Sequence, residues 1–196
     1  MGLRQNWAGY FLSGMLCCSC LPFLFFASPL PLKAEDTHTN HSCTLNKTDF
    51  QKTYIKNCTY GLAKQARFFD MDTDNRLIDK YLYTKIQEKN HCYLMKRVTE
   101  IMVTDVLFKL KSIPGRYSSV QEVANFLAYL NVTLKGCKPL GDQKQIESNL
   151  KRMKEKLDKL GEKGKNKAIG ELDLLFEDLE SACTKTLKTI RKTKQK

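Results

Sequence analysis

Cysteines and histidines are the residues of this 196-residue chain best suited to covalent, metal-binding or nucleophilic chemistry. Beyond an apolar N-terminal run lie Cys43, Cys58, Cys92, Cys137 and Cys183, widely separated and without a C-x-x-C pair. Structural zinc normally uses closely spaced pairs. The pattern therefore predicts disulfides formed in an oxidising compartment. Five is an odd number, which leaves two bridges and one spare thiol. His38 and His41 fall in a polar lead-in and read as solvated side chains. His91 adjoins Cys92, but neighbouring helical positions diverge by roughly 100°, so the two do not form a nucleophile–base pair. Asp70, Asp72 and Asp74 alternate as in a calcium loop. Asn75 then stands where the turn glycine belongs and Tyr81 where the bidentate glutamate belongs. GEKGKNK lacks the GK[ST] ending of a phosphate loop and follows no strand. These residues predict no enzyme, no metal and no cofactor.

The compartment is written at the N-terminus. After Arg4 no charge occurs until Lys33, and the intervening run is apolar, the pattern of a secretory signal peptide over residues 1–34. Pro22, Pro29 and Pro31 oppose a straight spanning helix, and Cys17, Cys18 and Cys20 leave with the signal. Asn40, Asn46, Asn57 and Asn131 each open an N-x-S/T triplet, consistent with glycosylation in the secretory path. Residues 35–48 read as a flexible lead-in, 49–183 as the folded domain and 184–196 as a tail. The net charge is +12, and the tail carries six basic residues and no acid. Such a tail suits heparan sulfate or another polyanion.

The elements available to position these residues are helices. Asp49 is a candidate cap for a helix over 49–69, with Ile55, Thr59, Leu62, Ala66 and Phe69 on one face, Asn57 opposite and Cys58 at the border. A loop and a short amphipathic piece follow. Residues 90–108 place Met95, Val98, Met102 and Val106 on a stripe. Ser119 to Glu122 read as a capping box, opening a helix with Val120, Val123, Leu127, Leu130 and Leu134 inward. Asp142 caps a charged helix with Ile146, Leu150, Met153, Leu157 and Leu160 inward and Gly161 as its stop. Glu147 with Lys151 and Glu155 with Lys159 suit i, i+4 pairing along it. In the last helix, over 164–183, Ala168, Leu172, Leu175, Leu179 and Ala182 share a face that Ile169, Phe176 and Cys183 widen. Glu171, Asp173, Glu177, Asp178 and Glu180 fall outside that face. Five substantial helices and one short one make an all-α bundle.

The stretch KAIGELDLLF (residues 167–176) resembles the signature of the interleukin-10 family of class II helical cytokines, in which K-A-x-x-E-x-D opens the last helix. HSCTLNKTDFQKTYI, LAKQARF, TDNRLI, HCYLMKRV, DVLF and QEVANFLAYL extend the similarity over about residues 42–183. The resemblance implies a six-helix cytokine with bridges Cys43–Cys137 and Cys92–Cys183. Cys58 is then the extra thiol, at a position where relatives have an arginine. It also implies a secreted ligand of a heterodimeric receptor, an alpha-1 chain plus the interleukin-10 receptor beta chain, that signals through JAK–STAT in epithelial cells. A soluble binding protein would compete. By the same resemblance the alpha-1 chain contacts Asp70, Thr73, Asp74, Arg76, Lys167 and Gly170, and the beta chain contacts Tyr54, Asn57 and Glu122. The competing reading of a different class is a cationic defence protein that binds polyanions or membranes through the tail.

Overall fold

The computed structural model describes residues 43–184 except Met71, Thr73 and 112–116. The expected signal peptide, Asn40 and the basic tail lie outside the described residues. Helices α1 (Lys47–Phe50), α2 (Thr53–Phe69), α3 (His91–Ile101), α4 (Phe108–Lys111), α5 (Val120–Thr133), α6 (Lys144–Gly170) and α7 (Leu172–Cys183) follow in order, and no strand occurs among the described residues. A wide π-helical turn, Met102–Leu107, joins α3 to α4. Among these helices none is long and apolar enough to cross a membrane.

The apolar stripes meet in one core. Leu62, Ala63 and Ala66 of α2, Leu94, Met95 and Val98 of α3, Leu127 and Leu130 of α5, and Leu172, Leu175 and Leu179 of α7 are all buried. Phe176 of α7 sits among Phe50, Phe126 and Tyr60, with ring centroids 5.2, 5.9 and 6.2 Å away. Burying a ring of this size removes enough apolar surface to favour folding by roughly 1.5–3 kcal/mol. Cys43–Cys137 ties the segment before α1 to the turn after α5, and Cys92–Cys183 ties the first turn of α3 to the end of α7. Cys58 is a free thiol, half-buried on α2.

Several local expectations are corrected by tertiary context. Asp49 does not cap the first helix; Asn46 does, accepting the Thr48 N–H at 3.1 Å. Asp49 is buried instead, paired with Lys52, and the chain breaks between α1 and α2. Ordered packing also begins earlier than residue 49, since buried Leu45 donates its N–H to the Cys183 carbonyl. The capping box at Ser119 is not formed. Its φ of 61° is left-handed, whereas a capping serine needs extended backbone to aim its hydroxyl at the next amides. Glu147 pairs across the bundle with Arg97 at 2.5 Å rather than along α6, and Lys151 turns to Glu155.

Gly161 marks a kink rather than a stop. Its φ of 56° and ψ of −126° belong to a region that side chains exclude, and the helix resumes at once. The kink brings Gly164 against the preceding turn, where an added Cβ would stand 2.5 Å from the Leu157 carbonyl oxygen. Gly161→Ala and Gly164→Ala should each lower stability by about 1–3 kcal/mol. Gly61→Ala, at an open position in the middle of α2, should raise it by up to about 1 kcal/mol. Urea midpoints at a common slope check the contrast.

Candidate functional site

The residues assigned by resemblance to the first receptor chain come from two regions about 90 residues apart in sequence, and the fold brings them together. Asp70, Arg76, Lys167 and Gly170 line one depression with Arg67, Asp72, Glu171 and Leu174. The loop after α2 forms one wall and the junction of α6 and α7 the other. Asp74 is exposed on the same loop, and Thr73 lies outside the described residues.

The alternating aspartates, read at first against a calcium loop, act as turn acceptors. Asp70 Oδ1 accepts the Asp72 N–H at 3.1 Å. Asp72 Oδ1 accepts the N–H groups of Asp74 and Asn75, and its Oδ2 accepts the Asn75 amide at 2.7 Å. Short polar side chains that bond backbone two or three residues on are a standard way to build a tight turn. The Asn75 side chain is the main reason the Asp72 carboxyl lies below its ordinary range.

Lys167 and Glu171 depart from expectation. Lys167, read as an exposed charge at the start of the last helix, is 4 % exposed. Its ammonium bonds Asp70 Oδ2 at 2.7 Å and the Asp72 carbonyl, so it holds the loop onto the helix. Glu171, expected outside the apolar face toward solvent or a partner, is also buried. Its carboxylate accepts the Leu77 N–H with both oxygens, at 3.1 and 3.0 Å, and the Ile78 N–H at 2.7 Å. Burial raises the Glu171 carboxyl above its ordinary value, an effect that the two N–H donors and Lys167 partly offset. One turn of sequence thus anchors both ends of the loop.

Gly170 and Arg67 complete the wall. A Cβ on Gly170 would lie 3.1 Å from Arg67 Cγ, and the Arg67 guanidinium pairs with Asp173. Arg76 is exposed, and the Lys156 ammonium fixes its carbonyl. Arg67, Asp72, Glu171 and Leu174 are not among the receptor-contact residues assigned from the sequence. The Glu and Asp of the K-A-x-x-E-x-D pattern were the signal available for Glu171 and Asp173. The acids further along α7 also have internal work: Glu177 and Asp178 accept the hydroxyls of Tyr60 and Tyr83. Burial first, then Glu177, pushes the Tyr60 phenol up to about 12.

The second set lies on α2 and α5. Tyr54 and Asn57 are exposed on α2 and Glu122 is exposed in the first turn of α5. The Cys58 side chain bonds the Tyr54 phenol and raises its pKa, and the negative charge of Glu122 adds to the effect. These observations put Tyr54, Cys58 and Glu122 in one neighbourhood. Of the sequon asparagines, Asn46 and Asn57 are exposed, while Asn131 is half-buried and its Oδ1 meets no partner.

Comparison with known proteins identifies the family. The sequence family described as interleukin 22, IL-10-related T-cell-derived-inducible factor, matches residues 43–183. Human interleukin-22 is 41 % identical over 183 residues, covering 93 % of this chain and 99 % of its own length. Mouse interleukin-22b is 39 % identical over 187 residues, with the same coverage. The crystal structure of zebrafish IL-22 superposes with a TM-score of 0.54 at 22 % identity, over 70 % of this chain and 97 % of the other, a likeness of fold. A family match that runs from the first bridged cysteine to the last, through the turn that clamps the loop, leaves one conclusion: the chain belongs to the interleukin-22 family of helical cytokines.

Proposed function

We propose that this cytokine is secreted and binds a heterodimeric class II receptor, engaging the interleukin-22 receptor alpha-1 chain through Asp70, Thr73, Asp74, Arg76, Lys167 and Gly170, of which Asp70, Arg76, Lys167 and Gly170 line the depression. The interleukin-10 receptor beta chain then joins at Tyr54, Asn57 and Glu122, and the assembled pair activates JAK–STAT signalling in epithelial cells. A soluble interleukin-22 binding protein competes for the first face. The observation that carries this reading is the convergence of two distant regions on one charged depression, within a chain of this family. Exposed Arg76 and Asp74 are the groups available for steering and register. Lys167 and Gly170 act mainly by shaping the surface, one by holding the loop and the other by admitting Arg67.

Binding of the purified chain to the alpha-1 ectodomain, measured by surface plasmon resonance, tests the assignment. Arg76→Ala should weaken binding at least tenfold, with thermal stability unchanged because the side chain is exposed. No binding by the wild type, or equal affinity in the variant, would remove this face from the proposal.

A further inference from the structure

A second charged surface lies beside the receptor depression. Residues 76–89 run along the first half of α6 and leave three depressions that adjoin through the shared lining residues Asn149 and Gln145, a groove lined by Arg76, Lys85, Lys89, Lys151, Arg152 and Lys156. Asn149 fastens its two sides by donating to the carbonyls of Leu82 and Thr84, both at 3.0 Å. The groove is therefore a fixed feature of the fold.

Its acids are already engaged. Asp79 accepts the Tyr81 and Leu82 N–H groups, Asp142 accepts the Lys144 N–H, and Glu155 pairs with Lys151. Lys80, Lys85, Lys89 and Arg152 form no ion pair among the described residues. Lys80 and Arg152 instead flank the half-exposed ring of Tyr81, at 5.7 and 4.9 Å from its centroid. A ring face holds cations in place while leaving their outer N–H groups free to bond an anion. None of the N-x-S/T triplets falls within residues 76–89 or 144–156.

We propose that this groove binds a sulfated glycosaminoglycan of the heparan sulfate type. A linear polymer with closely spaced sulfates matches a row of cations along this trough, of which Lys85, Lys89 and Arg152 form no ion pair among the described residues. Nucleic acid fits less well. Single strands bind on successive exposed aromatic faces, whereas Tyr81 is the one ring lining the groove among the described residues, and two cations already approach it. The site is built from residues of the folded domain and includes none of residues 185–196. It does not rest on the receptor assignment.

The test compares two charge-matched variants of the full chain. One carries Lys80→Gln, Lys85→Gln, Lys89→Gln and Arg152→Gln. The other carries Lys47→Gln, Lys56→Gln, Lys64→Gln and Lys135→Gln, at exposed positions on α1, α2 and the turn after α5. Affinity for a heparin octasaccharide is measured by calorimetry from about 0.05 to 0.3 M salt, with circular dichroism to check helix content. The groove variant should bind at least tenfold more weakly at about 0.15 M salt. The slope of its log affinity against log salt should be shallower by about 3, by analogy with counterion release from other polyanions. The control variant should lose less than threefold. Equal losses in both variants would reduce the effect to net charge and overturn the site. So would undiminished binding by the groove variant. An equal loss for single-stranded DNA of the same charge would overturn the sulfated-sugar assignment.

Discussion

Replacing Cys92 and Cys183 together by serine should cost the domain about 4–5 kcal/mol, a third or more of the 5–15 kcal/mol that separates a typical folded chain from its unfolded ensemble. The bridge closes a separation of 91 residues, and in the chain-entropy account a loop that long restricts the unfolded state strongly. Two further effects act in the same direction. Both sulfurs are buried, so each serine would put a hydroxyl where its solvent contacts are gone. The bridge also joins α3 to α7, the pair of helices that carries Met95, Val98, Leu175 and Leu179 in the centre of the core. Cys43–Cys137 spans a similar separation, 94 residues, but one of its ends is the segment leading into α1. Its removal should release Leu45 and the Asn46 cap while α2 to α7 stay packed, at a smaller cost. Urea unfolding of the two double variants, followed at a common slope, separates these outcomes. A loss below about 1 kcal/mol for Cys92→Ser with Cys183→Ser would mean that packing alone holds α3 on α7.

The core was legible because burial is periodic. Ile146, Leu150, Met153 and Leu157 recur at helical spacing and are buried at that spacing, and the same holds for Leu172, Leu175 and Leu179. Boundaries were less legible because a helix ends where tertiary contacts no longer favour it. Asp49 and Asn46 are equally good caps by composition, and the choice between them depends on Asp49 being drawn under Lys52 and Tyr129. Gly161 carries the chemistry of a stop, yet the chain resumes a helix because buried Ala168 and Ile169 belong to the next stretch of core. The π-helical turn over Met102–Leu107 left no trace at all. A wider turn admits one more residue, and Met102, Val103, Val106 and Leu107 are apolar enough to satisfy either geometry.

Charged positions were the least legible. Lys167 and Glu171 lie off the apolar stripe of their own helix, so a helical projection sends them to solvent. What buries them is a loop some 90 residues earlier, and local sequence carries no record of it. The same applies to Arg67, whose stem covers Gly170 while its guanidinium reaches Asp173. The family resemblance pointed to this turn of helix for the receptor face. The structure adds that the charges of that turn point largely inward.

Glu171→Ala should therefore weaken the proposed receptor face without touching its exposed residues. The substitution leaves the Leu77 and Ile78 N–H groups buried and unpaired, at about 1–3 kcal/mol each, so stability should fall by about 2–4 kcal/mol. Released at that end, the loop stays clipped to Lys167 through Asp70, while its Arg76 end keeps the Lys156 bond to the Arg76 carbonyl but loses the two amide anchors that follow it. Affinity for the alpha-1 ectodomain should fall at least tenfold, with the amides of Leu77 and Ile78 losing their protection from hydrogen exchange in the free cytokine. Glu171→Gln separates anchoring from charge, since its amide oxygen can still accept from Ile78. It should retain most of the binding and change the pH response instead. Burial raises the folded-state pKa of Glu171, so the folded chain binds its proton more tightly than the unfolded chain does. Linkage then makes the contribution of this group to stability largest below its unfolded pKa of about 4.5, and decline as pH rises through the folded value. Glutamine has no proton to lose, so stability of the Gln variant should fall less, or rise more, than that of the wild type as pH increases from about 4 toward neutrality. Parallel pH profiles would show that Glu171 ionises as easily in the fold as in the open chain. Unchanged receptor affinity with unprotected Leu77 and Ile78 amides would show that the loop need not be held by Glu171 to be recognised.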